Sequence, residues 1–167
     1  NFFDTSDLYN QSFNLIEKKI DNPNLIIKLS IKSKNRLVSI ESFKKKVVSI
    51  CKKIETKKIY ALMIHDFDLK FHDKILDHCM FLMNYCYKKK IKFGFSIYHM
   101  KEFLFLSKKY KFNILQIPIN VFNQEFINSK FINFTKKNNI EVHARSIFLQ
   151  GILVNDLNLV PHNLKKH

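Results

Sequence analysis

The stretch YALMI at residues 60–64, followed by a helical pattern and then by KFGF at residues 92–95, decides the fold. Both apolar runs are short and nearly continuous, which is typical of strands covered on two faces. Between them, residues 73–89 place apolar side chains at the three- and four-residue spacing of one helix face. This order of strand, helix and strand predicts a βαβ unit with parallel strands.

The same alternation extends along the rest of the chain. Further strand-like runs occupy residues 1–3, 24–27, 113–115 and 141–144, and helical patterns occupy residues 11–20, 39–56, 100–110 and 124–138. No G-x-G-x-x-G follows any of these runs, which argues against a dinucleotide-binding Rossmann sheet. We therefore predict an α/β fold, a partial (β/α)8 TIM barrel with about six parallel strands alternating with helices. Residues 1–167 would form a single incomplete TIM-barrel domain.

The length is small for such a barrel. A complete eight-unit barrel typically needs ~250 residues, and this chain has 167. We expect a fragment that lacks the first β/α unit and everything after the seventh strand. A natural miniature barrel is the alternative.

The net charge of the chain suggests a second interpretation of its function. The formal net charge is +15 and the sequence pI is near 9.7, values that suggest a nucleic-acid-binding protein. However, the lysines are spread over nearly every predicted helix, and the richness in Lys, Asn, Ile and Phe fits AT-biased coding. We expect only weak nucleic-acid binding without sequence preference. Whether the lysines form one face once the chain folds discriminates between the two interpretations.

Other classes of site have little support in the sequence. Cys51, Cys79 and Cys86 lie in predicted helices without C-x-x-C spacing, so they read as small buried residues of a protein in a reducing cytoplasm. No apolar run approaches the ~20 residues of a membrane span, and we expect no membrane partner. His72 and His78 match no zinc-ligand spacing, so no metal is expected.

Polar residues recur where the predicted strands end. They are Asp4, Tyr9, Lys28, His65, Ser96, Gln116, Arg145 and Ser146. In a parallel barrel the carboxyl ends of all strands meet at one mouth, where the chemistry is done. The sequence therefore predicts that an acid, a phenol, an amine and an imidazole meet there.

The motifs that contain these residues resemble those of the aldo/keto reductase superfamily. In chain order they are DTSDLY (4–9), LIIK (25–28), IHD (64–66), GFSIY (94–98), ILQIPIN (114–120) and ARSIFLQGIL (144–153). Each is weak alone, but the six in order cover nearly the whole chain. The resemblance implies a carbonyl (aldehyde or ketone) reductase that uses NADP(H), with NAD(H) as the alternative.

The resemblance also implies roles for individual residues. Tyr9 would be the general acid, assisted by Lys28, Asp4 and His65. A nearby ammonium favours ionisation of a phenol, a carboxylate keeps that ammonium charged, and an imidazole can orient a carbonyl oxygen. A lysine in an apolar strand is also costly without a partner, which favours a functional role for Lys28.

The cofactor positions implied by the family are Ser96, Gln116, Arg145, Ser146 and Gln150. Ile97 replaces the asparagine that often follows the serine, and Arg145 replaces an aromatic residue that often stacks on the nicotinamide. The substrate would be a small carbonyl compound, and the last motif suggests a sugar-derived one. A non-catalytic regulatory or scaffolding barrel of the same family is the alternative, ahead of a basic nucleic-acid-binding protein.

Overall fold

A six-stranded parallel sheet organises the computed structural model, which describes residues 1–9, 20, 22–34, 36–55 and 58–154. The strands, in chain order and in order across the sheet, are β1 (Phe2–Ser6), β2 (Asn24–Leu29), β3 (Ile59–Ile64), β4 (Lys92–Ser96), β5 (Ile114–Pro118) and β6 (Glu141–Arg145). Every neighbouring pair is parallel. The sheet curls into a half-barrel, which confirms the predicted partial (β/α)8 architecture.

Four helices alternate with the strands in the described part of the chain. They are α1 (Ile40–Lys53), α2 (Leu76–Lys89), α3 (Met100–Lys109) and α4 (Ser129–Lys137). Polar side chains cap three of them in accordance with the usual preference for such residues at helix starts. Ser39 accepts from the Ser42 amide at 3.2 Å before α1, Glu102 accepts from the His99 amide at 2.9 Å at α3, and Asn128 caps α4.

Two details differ from the sequence-based expectation. The fourth helix begins at Ser129 rather than near residue 124, because the Asn128 side chain accepts from the Phe131 amide at 2.9 Å and fixes the start there. A short hairpin of Lys32–Ser33 and Arg36–Leu37 follows β2, where the sequence pattern indicates no strand. Residues 11–19 of the first predicted helix and residues 155–167 lie outside the described residues.

Two hydrophobic clusters cover the two faces of the sheet. The larger one joins the outer face to the helices, with fully buried side chains such as Phe43, Leu62, Leu82 and Phe95. The smaller one lies on the concave face and consists of Ile26, Ala61, Met63 and Ile114. The concave face therefore has an apolar centre, and the polar residues of the same strands lie next to it.

Gly94 allows β4 and β5 to approach closely on the concave face. A Cβ atom at this position would lie 2.0 Å from the Ile114 carbonyl oxygen and 2.6 Å from Ile114 Cγ2. No side chain fits there without displacing backbone, which is the usual meaning of a glycine inside a strand.

The cysteines behave as the sequence predicts. Cys51, Cys79 and Cys86 are buried free thiols in α1 and α2. Burial raises the pKa of Cys79 to about 12, so this thiol is protonated at neutral pH and acts as a small apolar side chain. In the described segments, no helix combines the length and apolarity that crossing a membrane requires.

Candidate active site at the carboxyl ends of the strands

A buried lysine forms the centre of the candidate site. Lys28 lies on β2 and only 7% of its side chain is exposed. Its ammonium donates to Asp4 Oδ2 at 2.9 Å and to Gln116 Oε1 at 3.2 Å. An ammonium is tolerated in such a place only when it is paired and hydrogen-bonded. These two contacts explain how a charged side chain stands among the apolar residues of a central strand.

Gln116 closes the cluster into a triangle. Its Nε2 donates to the same Asp4 oxygen at 2.9 Å, while its Oε1 accepts from Lys28. The three side chains come from β1, β2 and β5, and 112 residues separate Asp4 from Gln116. The fold therefore holds the ammonium in one position from two sides, so the third N–H of the ammonium can point elsewhere.

Tyr9 lies beside this ammonium. A turn after β1 positions it, with the Tyr9 amide donating to the Ser6 carbonyl at 3.0 Å. The Lys28 Nζ atom lies 5.7 Å from the centroid of the Tyr9 ring, and the residue is 49% exposed. The phenol is thus close to a fixed positive charge and open to solvent, as a group that meets a substrate must be.

His65 follows β3 and is fixed through both its backbone and its ring. Its amide donates to the Leu29 carbonyl at 3.0 Å, and its Nδ1 lies 3.1 Å from the Ser6 hydroxyl oxygen. Burial lowers the pKa of His65, and the Lys28 ammonium lowers it further. The imidazole is therefore neutral at pH 7, so one ring nitrogen donates and the other accepts.

Two further carboxylates, to which sequence reasoning assigns no role, brace the loops of the site. Asp7 accepts from the Ser30 amide at 2.9 Å and from Lys46 Nζ at 2.6 Å. Asp66 accepts from the Ser30 hydroxyl at 2.6 Å and from the Ile31 amide at 2.9 Å. Both carboxylates thus contact the loop after β2, Asp7 from the loop after β1 and Asp66 from the loop after β3. The position of Asp66 soon after the predicted strand at residues 60–64 is the signal that could have indicated it, whereas Asp7 lies further from the predicted run at residues 1–3.

The proposed cofactor positions form the adjoining part of the same edge. Ser96 and Gln116 are buried on neighbouring strands, and the Ser96 hydroxyl lies 3.5 Å from Gln116 Oε1. Ser146 follows β6 with a positive φ of 57°. The backbone of Gln150 belongs to a short 3-10 helix, Leu149–Gly151, but its side chain lies outside the described atoms.

Arg145 makes contacts that the sequence does not predict. Its guanidinium carbon lies 4.1 Å from the centroid of the Tyr98 ring, and its Nη2 donates to the Ile97 carbonyl at 3.1 Å. The Arg145 Nε atom is buried without a hydrogen-bond partner among the described residues. The position that carries an aromatic residue in many relatives is thus filled by a guanidinium that rests on an aromatic ring of this chain.

The structure therefore gathers Asp4, Lys28 and Gln116 into one hydrogen-bonded cluster, with the Tyr9 ring beside it. His65 directly follows β3 and Arg145 is the last residue of β6, so both lie at the same carboxyl edge of the sheet as this cluster. In the described residues, no group of three or more His, Cys, Asp or Glu side chains could hold a metal ion.

Comparison with known proteins identifies the family of the chain. The aldo/keto reductase family matches residues 1–166, and the chain belongs to this family. No curated protein matches the chain.

Solved structures show the same fold. A glycerol dehydrogenase from Gluconobacter oxydans superimposes with a TM-score of 0.68 at 20% identity, over 98% of this chain and 55% of that one. A Pseudomonas aeruginosa protein classed as an aldo-keto reductase superimposes with a TM-score of 0.66 at 13% identity, over 87% of this chain and 57% of that one. The chain thus spans little more than half the length of these neighbours.

Proposed function

We propose that the protein is an oxidoreductase that reduces a small-molecule aldehyde or ketone with NADP(H), or with NAD(H) as the alternative. The observation that carries the proposal is the buried Lys28 ammonium, which Asp4 and Gln116 fix beside the solvent-accessible Tyr9 ring. A lysine that only stabilises the fold does not require a solvent-exposed tyrosine side chain beside it. Membership in the aldo/keto reductase family supports the same chemistry.

The residues at the adjoining edge fit a nicotinamide cofactor. The Ser96 hydroxyl and the Gln116 amide are buried polar groups at strand ends, and such groups suit a carboxamide, which both donates and accepts. The N–H at Arg145 Nε is a hydrogen-bond donor at this edge, and it has no partner among the described residues. Ser146 and Gln150 would approach the phosphates. When bound, the cofactor supplies the hydride.

The chain's own residues would manage the proton and the carbonyl. Tyr9 donates its hydroxyl proton to the substrate oxygen as negative charge develops there. The Lys28 ammonium stabilises the phenolate that remains, and Asp4 holds that ammonium in position. Neutral His65 donates a hydrogen bond to the same oxygen and orients it. The last motif, ARSIFLQGIL, favours a sugar-derived carbonyl as the substrate.

The proposal is tested by the steady-state oxidation of NADPH with a reactive aldehyde in the natural protein. Because Tyr9 acts on the substrate oxygen, Tyr9→Phe should lower kcat by at least about 10²-fold, the usual contribution of general acid catalysis, and leave the Kd for NADPH unchanged. Tyr87→Phe is the matched control, because Tyr87 is 85% exposed at the other end of the strands.

Two results would contradict the proposal. Turnover of Tyr9→Phe within threefold of the wild-type value would mean that the proton comes from another group. Absence of turnover in the wild-type protein with every aldehyde, despite NADPH binding, would favour the alternative of a non-catalytic scaffolding barrel.

A further inference from the structure

The face of the half-barrel opposite the candidate active site has a charge pattern that carbonyl reduction does not use. All six strands run parallel, so all begin at one edge of the sheet. Each connecting helix runs back from the carboxyl end of one strand to the start of the next, so the last turn of every helix lies at that starting edge. We call this edge, with the helix ends around it, the amino-terminal face.

Each of the four helices ends in two lysines, and further lysines occupy the loops that lead into β4 and β5. The exposed lysines of this face are Lys52, Lys53, Lys88, Lys89, Lys90, Lys108, Lys109, Lys111, Lys136 and Lys137. One lysine at a helix end is explained by the helix dipole. Because the same pair recurs at the end of four neighbouring helices, basic residues occur all along this face.

Acidic residues do not neutralise this surface. Among the described residues, the acids at the amino-terminal face are Glu55 and Glu141, and a lysine contacts each of them. Lys58 lies 3.4 Å from Glu55 and Lys92 lies 2.5 Å from Glu141. The other described acids lie toward the carboxyl end of β1, in loops that follow strands, or in first helical turns. The charge of the molecule is therefore polarised along the direction of the strands.

An apolar cavity opens within this basic surface. It has a volume of about 950 Å³ and lies where α2 and α3 end. Phe93, Phe112 and Met83 are among the apolar side chains that line it, and Lys90, Lys109 and Lys111 also line it. Tyr87, which is 85% exposed, lines the same cavity. Positive charge and an accessible aromatic ring thus occur together.

We propose that the amino-terminal face binds single-stranded nucleic acid without sequence preference. Lysines bind the phosphates, and aromatic rings stack with bases of any identity, which is the usual combination in such sites. Neighbouring helices lie about 8–10 Å apart, so successive lysine pairs can follow a strand whose phosphates are a few ångströms apart. This site is independent of the proposed reductase activity.

The orientation of the helices disfavours an anionic membrane as the partner. A membrane-surface helix lies flat and inserts its apolar side. Here the helices present their last turns to the face, with their apolar sides packed against the sheet. A cavity with an aromatic rim suits a base better than a bilayer surface.

The test measures fluorescence anisotropy of a labelled 20-mer of uridine with the full chain over a range of salt concentrations. If about four phosphates are contacted, log K should fall with log salt at a slope near −3. The variant Lys88→Gln, Lys89→Gln, Lys109→Gln and Lys111→Gln should bind at least tenfold more weakly and reduce the slope. Lys44→Gln, Lys45→Gln, Lys101→Gln and Lys130→Gln remove the same charge from exposed positions elsewhere and should retain the affinity.

Tyr87→Ala separates base stacking from charge. It should weaken binding of the uridine 20-mer about tenfold and leave binding of inorganic polyphosphate unchanged. Acetylation footprinting of the unmodified chain, which does not depend on the folding of a variant, should show protection of Lys88, Lys109 and Lys111 by the oligonucleotide. Equal losses in the two lysine variants, no effect of Tyr87→Ala, or preferential binding to phosphatidylserine vesicles would each overturn the proposal.

Discussion

The Ser6 hydroxyl contacts the His65 ring, although the two residues are 59 positions apart in the chain. The Ser6 oxygen accepts from the Leu8 amide at 3.2 Å, and its proton has two acceptors within reach, His65 Nδ1 at 3.1 Å and Asp7 Oδ1 at 3.4 Å. A proton donated to His65 Nδ1 leaves the hydrogen of the neutral ring on Nε2. We propose that the shorter contact, to His65, takes the Ser6 proton, so that Ser6 is a positioning residue that keeps a donor available for the substrate oxygen.

We predict that Ser6→Ala removes this selection of the tautomer. The ¹⁵N chemical shifts of the His65 ring should move toward a mixture of the two tautomers, and kcat/KM should fall about fivefold, as expected for the loss of one hydrogen bond of ~1 kcal/mol. Ser107→Ala is the control, because its hydroxyl contacts the Leu104 carbonyl on α3, away from the site. Unchanged ring shifts in Ser6→Ala would show that another group sets the tautomer.

Lys28 shows how a single residue of the sequence can indicate chemistry. A lysine in an apolar run needs a partner, and the motif DTSDLY offers Asp4, which the structure places 2.9 Å from the ammonium. The second partner, Gln116, is predicted only as a cofactor contact. Its contacts with Asp4 and Lys28 depend on the curvature of the sheet, which no local pattern encodes. The contact of Ser6 with His65 cannot be predicted from the sequence for the same reason.

At the scale of the elements, apolar periodicity is the most informative signal. It locates every described strand of the six-stranded sheet and every described α-helix, because each buries one face or two against the same core. The boundaries depend on single side chains, as the Asn128 cap of α4 shows. The hairpin at Lys32–Ser33 and Arg36–Leu37 is too short for periodicity to indicate.

The first residue of β6 joins three strands through a polar network on the concave face. Glu141 accepts from the Tyr60 hydroxyl at 2.6 Å and from Lys92 at 2.5 Å, and its other oxygen contacts His143. Burial favours the neutral acid, but the hydrogen bonds from Lys92, Tyr60 and His143 outweigh it and lower the pKa of Glu141 to about 2. The folded state therefore favours the ionised form.

This lowered pKa predicts how stability depends on pH. The contribution of Glu141 should be fully present above the ordinary value of 4.5 and be lost as the pH falls toward about 2. Because the side chain is 31% exposed and partly screened, Glu141→Gln should cost about 1–2 kcal/mol at pH 7, and less at pH 2.5. Urea unfolding at both pH values measures the difference.

Glu55→Gln provides the matched control for this experiment. Glu55 is more than half exposed and pairs with Lys58 three residues away, so its substitution should have almost no effect on the free energy of unfolding. If Glu141→Gln cost the same at pH 2.5 as at pH 7, the stabilisation would not come from the ionised carboxylate.

At the scale of the whole molecule, the parallel topology gives the two ends of the sheet different characters. Polar residues after the strands meet at one end, and lysines from the last helical turns meet at the other. The polar residues that meet at the first end can be predicted from the sequence, because apolar runs show where the strands end. The basic end cannot be predicted in this way. Lysines occur on every helix of the sequence, and only the common direction of the helices shows that their last turns lie at one end.

Lys28→Met tests most directly whether the buried Lys28 ammonium acts on Tyr9 during carbonyl reduction. Methionine fills the same space without the charge, and the midpoint of thermal unfolding checks that the fold survives. Lys32→Met is the matched control, because it removes a more exposed lysine paired with Asp68 at the same edge. The measurement is the single-turnover rate of NADPH oxidation with a saturating aldehyde, recorded against pH.

We predict that Lys28→Met lowers this rate at least about 10²-fold at pH 7. The Kd for NADPH should change much less than this rate, since Lys28 contacts the proposed cofactor positions only through Gln116, and Lys32→Met should behave like the wild-type protein. A folded Lys28→Met variant that turns over within threefold of the wild-type rate would contradict the proposed role of the ammonium.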